Sequence, residues 1–293
     1  MSFSIDVFLQ LLLNGILMGV IYMIIALGLT MVYGLLRILH IAHAGVYTLG
    51  AYIAFSTYVV THNIFLAIIA ASIVCAILGV IIERSLYLPL LDKPAYIPLI
   101  ISIAVYLLLA EVIAQIWGHY PIGFHVEEIP RESYEIGKVM IGFHQIIFLA
   151  VITGFILALW LIINKTKIGL ASRAASQDFE MAMAMGENVI KVIDFNFIIG
   201  SILAGIGGLL VGIYYAKVFP YMGDIVAYKA LVVIVIGGLG SIAGAIIGAL
   251  ILGIAETFLI ATLGYLLPRE AFAFIIMIIL LLFRPQGLFG KVE

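Results

Sequence analysis

The sequence has a single cysteine, Cys75, so no disulfide can form within the chain, and its apolar surroundings say nothing of redox compartment. Charge is scarce too. Asp, Glu, Lys and Arg make up 10% of the 293 residues, where a soluble domain carries about a quarter. A net charge of −2 with no basic run offers no surface for nucleic acid. Catalytic signatures are missing as well. There is no Gly-x-x-x-x-Gly-Lys-[Ser/Thr] loop to cradle nucleotide phosphates. Nor is there a His-Glu-x-x-His pair, a cysteine pair at metal-binding spacing, or a Gly-x-Ser-x-Gly elbow. The few ionisable residues inside apolar runs do not form a matched acid–base set. These absences argue against an enzyme acting alone and lead us to expect neither cofactor nor metal.

What the sequence has is apolar length. Hydrophobic residues make up 65% of the chain and the mean hydropathy is +1.29. A membrane span takes about 20 apolar residues, and lipid leaves backbone groups no partner except within a helix or a closed barrel. The reading is an all-α polytopic membrane bundle, a single domain over 1–293, with about eight full spans at 7–34, 44–61, 64–82, 96–116, 144–163, 192–214, 243–263 and 270–283. The segment 224–238 is apolar but short, meets the cluster Gly237-Gly238-Leu239-Gly240-Ser241, and reads as a short or re-entrant ninth element. Residues 1–6 lack the basic region of a cleaved signal peptide, and 7–34 is too long for its apolar core.

Lys and Arg set the orientation. With the N-terminus outside and the C-terminus cytoplasmic, Arg37, Arg84, Lys93, Lys165, Lys167, Arg173, Lys191, Arg284 and Lys291 fall inside. Arg131, Lys138, Lys217, Lys229 and Arg269 fall outside, which leaves nine of the 14 basic residues on the inner face. Two polar segments can carry structure of their own. The outer loop 117–143 alternates around Tyr134–Val139 as a hairpin does. The inner segment 164–191 reads as a cytoplasmic helix with Ala174, Phe179, Ala182, Met183 and Met185 on partly apolar faces.

Small residues recur every four positions: Gly200, Ala204, Gly208 and Gly212, then Gly240, Gly244 and Gly248. Such ridges let helices approach closely in lipid. His40 and His43 stand near the membrane edge, where polar groups are candidates for function, although interfacial histidines more often cap a helix or bond a carbonyl. Glu111 and Glu256 lie in apolar runs towards outer helix ends and read as carboxylates that reach for the interface. Lys229 and Asp224 can pair with each other or flank the outer mouth.

The run His40-Ile-Ala-His43-Ala-Gly45-Val-Tyr47-Thr-Leu-Gly50-Ala-Tyr52 resembles the segment after the first span of the branched-chain amino-acid importer permeases. The same likeness extends over Glu83-Arg84, Tyr87-Leu-Pro89-Leu90 and Pro98-Leu-Ile. It continues through Gly169-x-x-x-Arg173-Ala174 with Asp178, Met185-Gly186-Glu187-Asn188, Gly237-Gly238-Leu-Gly240-Ser241 and Arg284-Pro285-Gln286-Gly287-Leu288-Phe289-Gly290, and so covers nearly the whole chain in order. The resemblance implies the smaller of two permease subunits, joined to two cytoplasmic ATPase subunits and fed by an external solute-binding protein. Segment 164–191 would then couple the ATPases, through Arg173, Asp178 and Gly186, while His40, His43, Gly45 and Gly50 are candidates for the translocation path. The family usually has Asn at position 40 and Gly at 44, and often a polar or acidic residue at 45, so urea, a short amide or another small solute is the alternative cargo. An ion-driven secondary transporter is the competing class, but the six-residue likeness of 200–205 and 240–245 establishes no internal repeat.

Overall fold

The computed structural model describes residues 4–130 and 132–290; Arg131 and Lys291, which entered the charge count, lie outside them. The chain is helical almost throughout. In order come α1 (Ile5–Leu36), α2 (Ala42–Thr61), α3 (Ile64–Ile82), α4 (Tyr96–Trp117), α5 (Phe143–Lys165), α6 (Lys167–Gln177), α7 (Phe179–Ala184), α8 (Val189–Tyr214), α9 (Met222–Gly237), α10 (Ile242–Leu263) and α11 (Arg269–Phe283). Short strands β1 (Ile122–Gly123), β2 (Ser133–Ile136), β3 (Val139–Gly142) and β4 (Lys217–Val218) form two antiparallel pairs. β2 and β3 make the hairpin expected within 117–143, Ser133 opposite Gly142 and Ile136 opposite Val139. β1 joins β4 across the chain, Ile122 opposite Val218.

Among the described residues, six helical segments are long and apolar enough to cross a membrane: Ile5–Leu36, Ile64–Leu90, Tyr96–Trp117, Phe143–Lys165, Val189–Tyr214 and Ile242–Leu263. This lowers the expected count of about eight, for two different reasons. α2 has the length, 20 residues, but not the composition, since it carries His43, Thr48 and Thr57 and lies mostly buried against α3, α4 and α8. α11, at 15 residues, extends roughly 22 Å at 1.5 Å per residue, short of about 30 Å of hydrocarbon. α9 is short for the same reason, at 16 residues, as expected for 224–238. The spans otherwise fall where the apolar runs placed them.

Burial separates the helices into two sets. α1 and α8 are largely enclosed, whereas α3, α4, α5 and α10 turn most of their apolar surface outward. That inversion relative to a soluble protein is what lipid requires. Close helix approach supplies the cohesion. Gly200 on α8 backs onto the Gly28 carbonyl of α1, and Gly212 meets Val218 and Phe124. Gly208 lies directly against the Tyr47 carbonyl of α2, and a Cβ there would occupy the space of that oxygen. Ala204 is fully buried. Gly244 and Gly248 of α10 face Gly237 and Val233 of α9, whereas Gly240 stands in the turn before α10 with φ 79°, beside Gly34.

α3 runs on through a π-helical turn, Glu83–Tyr87, in which Leu88 N–H donates to the Glu83 carbonyl five residues back. A turn of this kind inserts a residue and re-aims the side chains beyond it. Here Tyr87 becomes fully buried against His40.

The segment 164–191 is two helices, not one. Asp178 interrupts it in an extended conformation and caps α7 by accepting from Met181 N–H at 2.9 Å. Short polar side chains favour this over continuing the helix. Gly186, φ 92°, then ends α7: its N–H donates to the Met183 carbonyl and Glu187 N–H to the Ala182 carbonyl. A left-handed glycine with this bond pair is a Schellman stop.

Candidate functional site

Two cavities flank α9, with Val226 and Ala230 lining both. The larger, about 340 Å³, lies between α9, α1 and the start of α2, and is walled by Leu29, Leu39, Ile41, Ala227 and Leu231. Its polar groups are His40, His43, Asp224 and Tyr228. The smaller, about 230 Å³, lies on the other side, between α1, α9 and the β4 and α11 segments.

Both histidines are buried, at 1% and 3% exposure. His40 Nδ1 sits 2.7 Å from the Tyr87 hydroxyl and its ring packs edge-on to Tyr87. His43 Nε2 lies 3.2 Å from the Ile25 carbonyl. A carbonyl only accepts, so Nε2 carries the proton and Nδ1 is the lone-pair nitrogen. The two rings are 5.8 Å apart between centroids. His40 Nε2 and His43 Nδ1 are buried without a hydrogen-bond partner. The local fold explains the placement. Arg37, left-handed at φ 53°, ends α1, and the chain turns back so that α2 starts beside Gly28; Ser102 of α4 caps Ala42 N–H at 2.9 Å.

Gly45 and Gly50 are elsewhere on α2. Gly45 faces Leu109 of α4, and Gly50 lies directly against the Gly205 backbone of α8, so neither lines these cavities. Arg173, Asp178 and Gly186 are all exposed on α6, α7 and the turn after them. Around them Leu170, Met181, Met183 and Met185 are exposed at 50–78%. The opposite side of α6 is buried, with Ser172 and Asn196 exchanging hydrogen bonds at 2.9–3.1 Å to fix α6 on α8.

The most charged buried cluster was not grouped by sequence. Glu256 of α10, fully buried, pairs with Lys229 of α9, accepts the Tyr22 hydroxyl at 2.8 Å and accepts Arg269 Nε at 2.8 Å. Lys229 also donates to the Tyr22 hydroxyl at 2.8 Å, with its ammonium 4.8 Å from the ring centre. This corrects two expectations. Lys229 does not pair with Asp224, whose carboxylate instead accepts the Tyr106 hydroxyl of α4. Glu256 does not reach for the interface, because three donors satisfy it in place. Glu111 is exposed and accepts from Tyr221 at 2.9 Å. The missed signal was one acid and one base of opposite sign, each inside an apolar run, where a buried charge needs a partner.

Among the described residues no group of three His, Cys, Asp or Glu side chains is placed to hold a metal. Outside the spans, Glu128 accepts the Tyr58 hydroxyl at 2.7 Å, which holds its carboxyl below the usual range.

Comparison with known proteins then decides the family, because the model described as branched-chain amino acid transport system, permease component, matches residues 11–283. The chain belongs to this permease family. The high-affinity branched-chain amino acid transport system permease protein BraD of Pseudomonas aeruginosa is 35% identical over 98% of this chain and 97% of its own. LivH of Salmonella typhimurium, of the same description, is 32% identical over 98% of this chain and 96% of its own. A probable branched-chain amino acid transport permease protein LivH of Methanocaldococcus jannaschii is 29% identical over 96% and 92%. No solved structure matches the chain. As a permease-family chain with six membrane-long helices it is a multi-pass membrane protein.

Proposed function

We propose that this chain is one of two permease subunits of an ATP-driven importer and forms, with a second and longer permease, the path for branched-chain amino acids. Two cytoplasmic ATPase subunits drive it and an external solute-binding protein delivers the cargo. The chain itself hydrolyses no ATP. It sits in the plasma (inner) membrane, with the N-terminus outside and the C-terminus in the cytoplasm, an orientation in which an odd number of the shorter helices α2, α9 and α11 crosses in addition to the six long ones. The observation that carries this reading, beside family membership, is the apolar cavity of about 340 Å³ at α1, α2 and α9. Its size is at the lower end of small-molecule sites, and apolar walls with a few polar groups are what such sites use. His40 and His43 are its polar residues for the path.

ATP coupling falls to 164–191. Exposed Leu170 and three exposed methionines, flanked by Arg173 and Asp178 and ended at Gly186, form an apolar patch with a charged rim. A short helical face of this kind suits a partner groove. A urea or short-amide cargo would leave the leucine- and isoleucine-rich cavity wall without a role, so branched-chain amino acids are the better match.

The test is uptake by proteoliposomes holding the full complex and its binding protein, with labelled leucine, urea and ribose compared. ATP-dependent leucine uptake is expected. Urea uptake without leucine uptake would replace the cargo, and uptake driven by an ion gradient without ATP would replace the machine.

A further inference from the structure

The smaller cavity, of about 230 Å³, has a mixed lining. Ile21, Ile25, Phe219, Met222 and Val226 give it an apolar wall, while Tyr47, Lys229, Arg269 and Glu270 bring polar groups to it. Three features at this cavity are unexplained by packing.

The first is charge. Lys217, Lys229 and Arg269 line the space, against Glu270 in the lining and Glu256 just behind it. Three cations face two anions, which leaves one positive charge in excess beside a largely apolar hollow. Such an excess favours an anion.

The second is unspent donors. Lys229 uses its ammonium on Tyr22 and Glu256, two of the three N–H groups an ammonium carries. Arg269 commits Nε to Glu256 and interacts with Tyr215, which leaves part of its five-donor fork. The third is Tyr47. It is fully buried, lines the cavity, and its hydroxyl has no hydrogen-bond partner. Buried hydroxyls without partners are rare in native structures and call for an explanation.

We propose that this cavity holds the zwitterionic end of an α-amino acid. Its carboxylate is received by the Tyr47 hydroxyl, Lys229 and Arg269, its ammonium lies towards Glu270, and its side chain rests on the Ile21, Ile25 and Val226 wall. A carboxylate accepts several charge-assisted hydrogen bonds at once, and a guanidinium fork suits it geometrically. Val226 and Ala230 separate this cavity from the His40 and His43 cavity, so cargo held here is one helix-width from the second chamber. The assignment rests on the permease reading and adds to it the residues that recognise the amino-acid backbone.

The test uses the whole complex in proteoliposomes with labelled leucine below saturation. Tyr47→Phe removes only an unpartnered hydroxyl, so a purely structural role predicts unchanged uptake and unchanged or higher thermal stability. Recognition of the carboxylate predicts uptake about tenfold lower or more, at unchanged stability. Arg269→Gln should also lower uptake, together with some stability because Arg269 holds the buried Glu256, and Arg269→Lys should recover part of both. Wild-type uptake in Tyr47→Phe overturns the proposal, as does a loss of complex stability in that variant, which would mean the hydroxyl has a structural partner. Failure of the wild-type complex to take up leucine at all would instead overturn the branched-chain reading.

Discussion

Lys229→Met is the most informative perturbation of the fold. Methionine is unbranched, only one atom shorter than lysine, and uncharged, so packing around α9 changes little. Glu256 is left fully buried with Tyr22 and Arg269 as its remaining donors. Removing one partner of a buried ion pair costs about 3–5 kcal/mol. The two surviving donors set the expected value at the lower end, about 3 kcal/mol. Glu256→Gln leaves the Lys229 ammonium an amide oxygen and the Tyr22 hydroxyl as acceptors but removes the compensating charge, and a similar loss is expected. In the double variant neither charge is stranded between α9 and α10, so the two losses should fall short of additivity by about 2 kcal/mol, within the range for residues in direct contact. Reversible unfolding in mixed detergent micelles, titrated with sodium dodecyl sulfate, measures all four corners of the cycle. Additivity within about 0.5 kcal/mol would refute the reasoning, since it would mean that Lys229 and Glu256 do not depend on each other.

Three further outcomes are expected from the geometry. Gly208→Ala places a Cβ in the space of the Tyr47 carbonyl, so α2 and α8 must part, and a loss of about 1–3 kcal/mol should appear as a lower melting temperature. Asp178→Ala removes the α7 cap and should cost about 1 kcal/mol, whereas Asp178→Asn keeps it; the pair Arg173→Glu with Asp178→Asn should therefore leave the fold intact and weaken co-purification with the ATPase subunits, and undiminished co-purification would move the docking site elsewhere. Gly186→Ala forces an L side chain to φ 92°, at a cost of about 1–2 kcal/mol, read as faster amide exchange through 179–187.

The apolar spans were legible because lipid permits so few backbone solutions that composition nearly dictates them. Span number was less legible: α2 satisfies length but derives its place from burial, which periodicity in a uniformly apolar sequence does not report. The hairpin at 133–142 could be seen in its alternation, and Gly186 as a stop in its residue type. The break at Asp178 was missed because helix-forming neighbours on both sides masked a capping side chain. His40 and His43 were found from their depth, but what they touch was not, since Tyr87 reaches His40 only through a π-helical turn. Lys229, Glu256 and Tyr22 are separated by 27 and 207 residues along the chain. Pairing over such distances is a property of the packed bundle, and one sequence does not carry it.

The packing of α1 has a consequence in time. Gly15 and Gly19 of this first helix press on Ile254 and Leu250 of α10, and Gly253 of α10 presses back on Gly19. Yet about 200 residues separate Leu36 from the start of α10 at Ile242. At about 5–20 residues per second of synthesis, α1 stays in the bilayer for roughly 10–40 s before this partner exists. During that interval its glycine face meets lipid or a biogenesis factor instead of a helix. Completion of the N-terminal half of the bundle is therefore deferred until the ribosome has nearly finished the chain.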